Sequence, residues 1–196
     1  TSVIKTRTFA EKLKRMDRYW LDAPVSGGTT AAEDGTLTIM AGGPQDTFHR
    51  ALPTLQILGD RITHVGEVGA GQIAKSANQM IVGLTIGAVA EAFALARHNG
   101  VDPAKIREAL FGGFAHSRIL ELHGERMLTE DFNPRAKCSI QRKDIAEAME
   151  LAASVNLHLP GLSTNMKLWD LMIENDWAEL DHSALLLAID PQWNKK

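Results

Sequence analysis

The feature that most constrains this chain is a run of about 29 residues, 71–99, that keeps helical spacing without a break. Apolar side chains occur nearly all round this predicted helix, and Gly100 marks its end. Its most apolar stretch, 80–96, contains Thr85 and Glu91 and falls short of the roughly 20 apolar residues that span a bilayer. We therefore predict one long buried helix, covered by other helices and partly by a second subunit, and no membrane partner.

The segments on either side of residue 67 follow different patterns. Before it, predicted helices and strands alternate, which is typical of an α/β domain; the helices are expected at 1–18 and 48–58, and the strands at 19–25, 36–41 and 61–65. After it, only helical spacing occurs, with helices expected at 71–99, 102–110, 117–128, 139–155, 160–175 and 183–189. We predict two domains, an α/β remnant over 1–67 and an all-α domain over 68–196. Three short strands make a small sheet alone, so we expect the α/β part to be the end of a larger domain.

Composition excludes several classes of protein. The 196 residues carry a net charge of -3 and are 44% hydrophobic, which disfavours disorder and a nucleic-acid partner. The single cysteine, Cys138, cannot form an intrachain disulfide, and we expect it to be a small buried apolar residue. Residues 1–20 lack the pattern of a secretory signal, so we expect a cytoplasmic protein. The histidines show no metal-ligand spacing, so no metal site is predicted.

Two motifs in the chain imitate familiar sites. The segment Gly69-Ala-Gly71-Gln-Ile-Ala74 matches the dinucleotide pattern GxGxxG/A, but the acid that trails it, Glu91, lies in an unbroken helical pattern with no second strand. The same segment fails as a phosphate-binding P-loop because Ala74 stands where a glycine is required. The triplet 181–183, Asp-His-Ser, contains the residue types of a catalytic triad, but consecutive residues cannot adopt its geometry. We expect a helix cap there.

A candidate catalytic turn lies near the start of the long helix. Lys75, Asn78 and Gln79 are spaced i, i+3 and i+4, so an ammonium group and two amides share one face. Apolar neighbours would partly bury Lys75, and burial lowers a lysine pKa from about 10.4 toward the range where it exchanges protons at neutral pH. The alternative is a lysine whose stem covers apolar surface while its amine reaches water.

A candidate anion-binding loop follows the first predicted strand. Ser26, Gly27 and Gly28 place a hydroxyl, backbone N–H groups and two conformationally free residues at a strand end, where open α/β sheets bind ligands. The alternative is an ordinary turn that ends a strand. Farther along, Lys143-Asp144 is interpreted as the opening of a helix, with the acid near the helix N-terminus and the lysine free to reach outward.

Four motifs together carry a resemblance to a known family. They are Asp22-Ala-Pro-Val-Ser26-Gly27-Gly28, Gly35-Thr-Leu-Thr-Ile-Met-Ala-Gly42-Gly43, Gly69-Ala-Gly71-Gln-Ile-Ala-Lys75-Ser-Ala-Asn78-Gln79, and Lys143-Asp144. In this order and at this spacing they resemble the β-hydroxyacid dehydrogenases, the family of 3-hydroxyisobutyrate dehydrogenase and tartronate semialdehyde reductase.

The resemblance implies roles for the residues that the spacing singled out. It implies a general acid or base at Lys75, orientation of substrate by Asn78, substrate binding by Ser26, Gly27, Gly28 and Gln79, and a cofactor contact at Lys143. Gln79 departs from the second asparagine of the family's KxxNN turn, which leaves open which amide contacts the substrate. No metal is implied.

The resemblance also implies a fold and a reaction. The fold would be an α/β remnant of a Rossmann-type nucleotide-binding domain over 1–67, followed by an all-α substrate and dimerisation domain over 68–196. The reaction would transfer a hydride between NAD or NADP and a small 3-hydroxy acid or 2-hydroxy-3-oxo acid, in a homodimer or homotetramer. Because the family's GxGxxG half precedes this segment, we expect the segment alone to be inactive. Two alternatives remain: a succinic semialdehyde or threonate-type dehydrogenase of the same family, and a helical assembly module without catalysis.

Overall fold

The computed structural model describes residues 2–193, which fall into two compact units, one ending at Asn78 and one beginning at Gln79. The boundary between the units lies inside the long helix. Each unit has its own buried apolar cluster, one around the small sheet and one among the later helices. This pairing of a small α/β unit with a helical unit confirms the predicted fold class. The predicted division at residue 67 stays a prediction.

The first unit is a three-stranded sheet with helices. Its elements are α1 (Val3–Lys14), β1 (Val25–Ser26), α2 (Gly28–Glu33), β2 (Thr38–Gly42), α3 (Gln45–Leu58), β3 (Arg61–Gly66) and the first turns of α4 (Ala70–His98). β2 is the central strand, antiparallel to β1 and parallel to β3, and α3 makes the crossover that a parallel pair requires. Ile39 and Ala41 of β2 are buried against Phe48 and Leu55 of α3.

The segment between α1 and α2 differs from the prediction. A strand over 19–25 was expected, but only Asp22 pairs there, in a single bridge to Gly42, before β1 begins at Val25. Pro24 accepts from Met40 N at 3.0 Å but has no N–H to donate in return, so the ladder is incomplete between Asp22 and Val25. Helix α2, which was not predicted, begins at Gly28, directly after the loop where an ordinary turn was the alternative.

The second unit consists of helices at nearly the predicted positions. They are the remainder of α4, then α5 (Pro103–Leu110), α6 (Arg118–Thr129), α7 (Cys138–Ala153), α8 (Pro160–Glu174), a 3₁₀ turn (His182–Ala184) and α9 (Leu185–Ile189). Polar side chains begin several of them: Asp102 accepts from Ala104 N at 2.9 Å, and Ser117 accepts from Leu120 N at 3.0 Å. These caps explain why the sequence located the helix starts so closely.

Helix α4 is as long as predicted but is not buried on all sides. Its most apolar window has a mean hydropathy of 1.7, so by length and composition alone it qualifies as a membrane span, contrary to the expectation above. Half of that window is buried inside the protein. Ile86 and Phe93 are fully buried, whereas Ile81 and Leu95 are 66% and 68% exposed on another face. Cover of this exposed face by a second subunit, as expected above, stays a prediction.

Candidate active site

The loop at the end of β1 gives its two glycines different surroundings. Gly27 precedes α2 with φ +137°, and a Cβ there would lie 2.5 Å from the Cβ of Ala31. Gly28 has φ +73°, and nothing lies within 4 Å of where its Cβ would be. Both backbones therefore favour glycine. The open space beside Gly28 leaves room for a ligand to approach the backbone.

A buried carboxylate fixes the start of α4 within the first unit. Asp22 is only 3% exposed, and its two oxygens accept hydrogen bonds from Gly69 N at 2.7 Å and Gln72 N at 2.9 Å. Its backbone exchanges both hydrogen bonds with Gly42. A negative charge at a helix N-terminus is favourable. Asp22 therefore joins the segment that leads to Ser26 to the helix that carries Lys75.

The predicted loop and the predicted catalytic turn meet in this unit. The hydroxyl of Ser26 donates a long hydrogen bond, 3.5 Å, to Oδ1 of Asn78, although the two residues are 52 positions apart. Lys75 lies one turn before Asn78 on α4 and is half-buried. Residues three apart on a helix are neighbours on its surface. The structure thus brings Ser26 and Asn78 together, on the helix face that also bears Lys75.

Gln79 contacts a different element, within the second unit. Its amide nitrogen donates to Oε1 of Gln141 at 3.1 Å and to Oδ2 of Asp144 at 2.8 Å, both on α7. Gln141 returns a hydrogen bond to the backbone oxygen of Gln79 at 2.8 Å. Successive residues on a helix differ by about 100° in direction. This rotation explains why Asn78 and Gln79 have different partners.

Lys143 lies on α7 beside a surface cavity. Its ammonium binds Asp144 at 2.5 Å and Glu147 at 3.6 Å. Burial alone would lower the pKa of Lys143, but these two carboxylates raise it above its ordinary value. The cavity has a volume of about 650 Å³ and is lined by Ser139, Arg142, Lys143, Asp170, Ile173 and Glu174.

The interpretation of Lys143-Asp144 as a helix opening was wrong. Helix α7 begins five residues earlier, at Cys138. Asp144 therefore lies in the second turn, where its partners are the side chains of Gln79 and Lys143 rather than free N–H groups of the helix terminus.

Neither the GxGxxA segment nor the Asp-His-Ser triplet at 181–183 forms the site that its sequence imitates. Glu91 lies inside α4, with no strand between it and Gly71. Two N–H groups at this helix start, those of Gly69 and Gln72, are occupied by Asp22. Asp181 caps the 3₁₀ turn by accepting from Ser183 N at 3.2 Å, as predicted for 181–183.

Two other sequence expectations concern metal and thiol chemistry. Among residues 2–193, no group of three His, Cys, Asp or Glu side chains is arranged to hold a metal ion. Cys138 is fully buried, as predicted, and burial raises the pKa of its thiol to about 12.

Sequence reasoning missed the roles of Asp22 and Gln141 in these contacts, and it placed Asp144 at a helix start instead. Asp22 belongs to a family motif, but nothing in its local sequence reveals its partners near position 70. Gln141 and Asp144 are three apart on a helix, and that spacing was an available signal for a shared face. Gln141 is fully buried, as an amide with satisfied hydrogen bonds can be.

Comparison with known proteins identifies the family. Residues 69–189 match the family described as NAD-binding of NADP-dependent 3-hydroxyisobutyrate dehydrogenase, and residues 1–66 match the NAD binding domain of 6-phosphogluconate dehydrogenase. The chain belongs to the β-hydroxyacid dehydrogenase family, as its motifs indicated. The predicted cofactor class, NAD or NADP, agrees with the descriptions of both matched families.

Individual relatives agree with this assignment. The chain is 46% identical over 195 residues to a 2-hydroxy-3-oxopropionate reductase of Escherichia coli K12, covering 100% of this chain and 67% of that protein. It is 49% identical over 186 residues to a 3-hydroxyisobutyrate dehydrogenase of Pseudomonas aeruginosa, covering 91% and 61%. Among solved structures, a Mycobacterium tuberculosis 3-hydroxyisobutyrate dehydrogenase with L-serine matches with a TM-score of 0.87 and 30% identity, covering 96% and 67%. The chain thus spans roughly half to two thirds of its relatives' lengths.

Proposed function

We propose that a protein carrying this chain transfers a hydride between NAD or NADP and a small 3-hydroxy acid or 2-hydroxy-3-oxo acid. The observation that supports this most directly is the contact between Ser26 and Asn78, because it joins the proposed carboxylate loop to the helical turn of Lys75. The 46% identity to a 2-hydroxy-3-oxopropionate reductase supports the oxo-acid substrate class.

The cofactor contact proposed for Lys143 is supported by the family resemblance and by its 57% exposed ammonium. In this chain that ammonium is already paired with Asp144 and Glu147, and the cavity beside it is also lined by Asp170 and Glu174. The GxGxxA turn does not fit a pyrophosphate, because the buried Asp22 carboxylate already accepts from its Gly69 and Gln72 N–H groups. When bound, NAD or NADP supplies or accepts the hydride.

The residues of the first unit would bind the substrate and move its proton. The hydroxyl of Ser26 and the N–H groups of Gly27 and Gly28 would hold the carboxylate, and Asn78 would orient the reacting carbon. In the reductive direction Lys75 would give a proton to the carbonyl oxygen as that oxygen gains charge, and in the oxidative direction it would take the proton of the alcohol.

Replacement of Lys75 tests this proposal in a full-length protein. General acid–base catalysis contributes about 10² to 10⁴ in rate, so Lys75→Ala should lower kcat by that factor. The measurement follows nicotinamide absorbance with 2-hydroxy-3-oxopropionate and 3-hydroxyisobutyrate, with succinic semialdehyde and threonate as the alternative substrates. Lys75→Arg is the matched control, since it keeps the charge but cannot exchange a proton near neutral pH. Cofactor affinity should be unchanged in both variants; a kcat within a few-fold of the parent in Lys75→Ala would remove Lys75 from the mechanism.

We further propose that the helical unit joins two or four copies of the chain. Ile81, Ala88 and Leu95 are exposed and seven residues apart on α4, so they share one face. An exposed apolar stripe on a core helix is typical of a subunit interface. The same stripe is what a non-catalytic assembly module would present, so activity measurements decide between the two. We place such a protein in the cytoplasm, without membrane or nucleic-acid partners.

A further inference from the structure

The segment 22–26 keeps one register along β2. Asp22 exchanges backbone hydrogen bonds with Gly42, and Ser26 is paired with Thr38. The two pairs are separated by the same number of residues on both strands, so neither strand bulges between them. An extended segment of this length spans about 13 Å. The pairing with β2 therefore fixes the position of Ser26 relative to Asp22.

The side chain of Asp22 holds the start of α4 in the same way. It is 3% exposed, and its two oxygens accept from Gly69 N at 2.7 Å and from Gln72 N at 2.9 Å. Asn78 lies less than two turns beyond Gln72 on α4, a rise of about 9 Å along the helix axis. The helix therefore fixes the position of Asn78 relative to Asp22.

The strand segment and the helix, both held at Asp22, meet again at their far ends. The hydroxyl of Ser26 donates to Oδ1 of Asn78 at 3.5 Å. The separation between the loop and the helical turn thus depends on how firmly the two elements are joined at Asp22. We infer that Asp22 is a positioning residue, whose carboxylate sets the distance between the loop at Ser26 and the turn of Lys75 and Asn78. This inference rests on the proposed function, in which one small acid contacts both.

The surroundings of Asp22 require a carboxylate of this length. Both of its oxygens accept hydrogen bonds, whereas the amide of an asparagine would turn a donor toward one of the two N–H groups. A Cβ on Gly42 would lie 2.9 Å from Oδ1, and a Cβ on Gly71 would lie 2.9 Å from Oδ2. A glutamate, which is longer by about 1.5 Å, would have to displace the strand or the helix.

The kinetic test uses Asp22→Asn in a full-length protein, with whichever of the four acids named above the parent converts best. We expect kcat/KM for that acid to fall at least tenfold, because the loop and the turn no longer hold one acid together. The KM for NAD or NADP should stay within twofold of the parent. Asp22→Glu should give the same split, and it is the second variant if asparagine prevents folding. A parent-like kcat/KM in either folded variant would overturn the inference.

A double-variant cycle tests whether Asp22 acts through the loop. Ser26→Ala and Asp22→Asn would disturb the same contact, so their combined loss in kcat/KM should be smaller than the product of the two single losses. Losses that multiply would show that Asp22 acts independently of Ser26, and the inference would fail.

A matched control separates positioning from stability. Asp190 is also 3% exposed, but it pairs with Arg97 at 2.6 Å in the second unit. Asp190→Asn should lower the thermal midpoint and leave kcat/KM for the acid within twofold. If it lowers kcat/KM as much as Asp22→Asn does, the effect is a general loosening of the protein rather than positioning of the loop.

A second measurement does not depend on catalysis. Hydrogen–deuterium exchange followed by mass spectrometry reports how firmly the loop 26–30 is held. In Asp22→Asn we expect the amides of this loop to exchange at least fivefold faster than in the parent, and in Asp190→Asn at the parent rate. Unchanged exchange in Asp22→Asn would disprove the positioning. A parent that converts none of the four acids would instead refute the proposed function, while the exchange result would still decide whether Asp22 holds the loop.

Discussion

At the scale of single residues, the second unit buries two imidazoles next to a carboxylate. The rings of His123 and His182 are nearly parallel, with their centroids 6.1 Å apart, and His182 also meets Trp169 edge-on. Within the described part of the chain, Nδ1 of His123 and Nε2 of His182 have no hydrogen-bond partner. Burial lowers the pKa of His123 to about 4 and also lowers the pKa of His182, although the nearby charge of Asp181 acts in the opposite direction.

These histidines predict an acid-sensitive fold. Between pH 6.5, the ordinary pKa of histidine, and about pH 4, His123 binds a proton in the unfolded chain but not in the folded one. The free energy of unfolding should therefore fall as the pH drops through this range, by roughly 1–3 kcal/mol. Urea unfolding at several pH values between 6.5 and 4 measures this change in the free energy of unfolding.

The control for this pH dependence is His123→Gln, which should reduce the slope of the free energy of unfolding against pH. Burial alone would raise the pKa of Asp181, but hydrogen bonds from Ser183 and the charge of Arg126 hold it below its ordinary value of 3.8. The stability that Asp181 contributes is therefore lost only at still lower pH. Equal slopes for the parent and His123→Gln between pH 6.5 and 4 would contradict the prediction.

At the scale of elements, two glycines let amide side chains approach α4. A Cβ on Gly83 would lie 2.6 Å from Nε2 of Gln141 and 3.0 Å from Cδ1 of Ile145, and a Cβ on Gly87 would lie 2.8 Å from Nδ2 of Asn165. Gln141 is on α7 and Asn165 is on α8. Both amides are buried, so α7 and α8 can pack this closely against α4 only because Gly83 and Gly87 carry no side chain.

Gly83→Ala should therefore destabilise the protein, although alanine is the better helix former by about 1 kcal/mol. Either the new methyl group overpacks the contact or Gln141 gives up its hydrogen bond to the backbone of Gln79, and we expect a loss of about 1–3 kcal/mol. Denaturant unfolding provides the measurement.

Gly161→Ala is the matched control for this substitution. Gly161 is exposed on α8, and the nearest atom to its added Cβ would be 3.9 Å away. Gly161→Ala should leave the free energy of unfolding unchanged or raise it slightly. A Gly83→Ala variant as stable as the parent would show that the contact between α4 and α7 adapts without cost.

The elements also show what the sequence can and cannot predict. The bounds of helix α4 were predicted within one residue because its run of helical spacing is long and a glycine follows it. Capping residues located the starts of α5 and α6. The strand expected at 19–25 failed because strand formation depends on partners distant in sequence. Ser26 and Asn78 were predicted through their motifs, whereas the role of Asp22 depends on N–H groups about 47 to 50 positions away, which no local pattern encodes.

At the scale of the whole molecule, the exposed stripe of α4 predicts self-association. Replacing both Ile81 and Leu95 with Glu should convert a dimer or tetramer of the full-length protein into monomers, because two charges on the same face would have to be desolvated. Sedimentation velocity gives the oligomeric state. Val155 is 66% exposed in the turn after α7, away from this stripe in sequence, so Val155→Glu is the matched control. Variants that all sediment like the parent would place the subunit contact elsewhere.

The burial of Cys138 makes this chain nearly inert toward maleimides, since its only thiol is enclosed and stays protonated at neutral pH. A cysteine introduced on the surface would consequently take a fluorescent dye almost alone. One such cysteine in each compact unit would give a donor and an acceptor with little background labelling. Energy transfer between the two dyes would then report the distance between the labelled positions in solution.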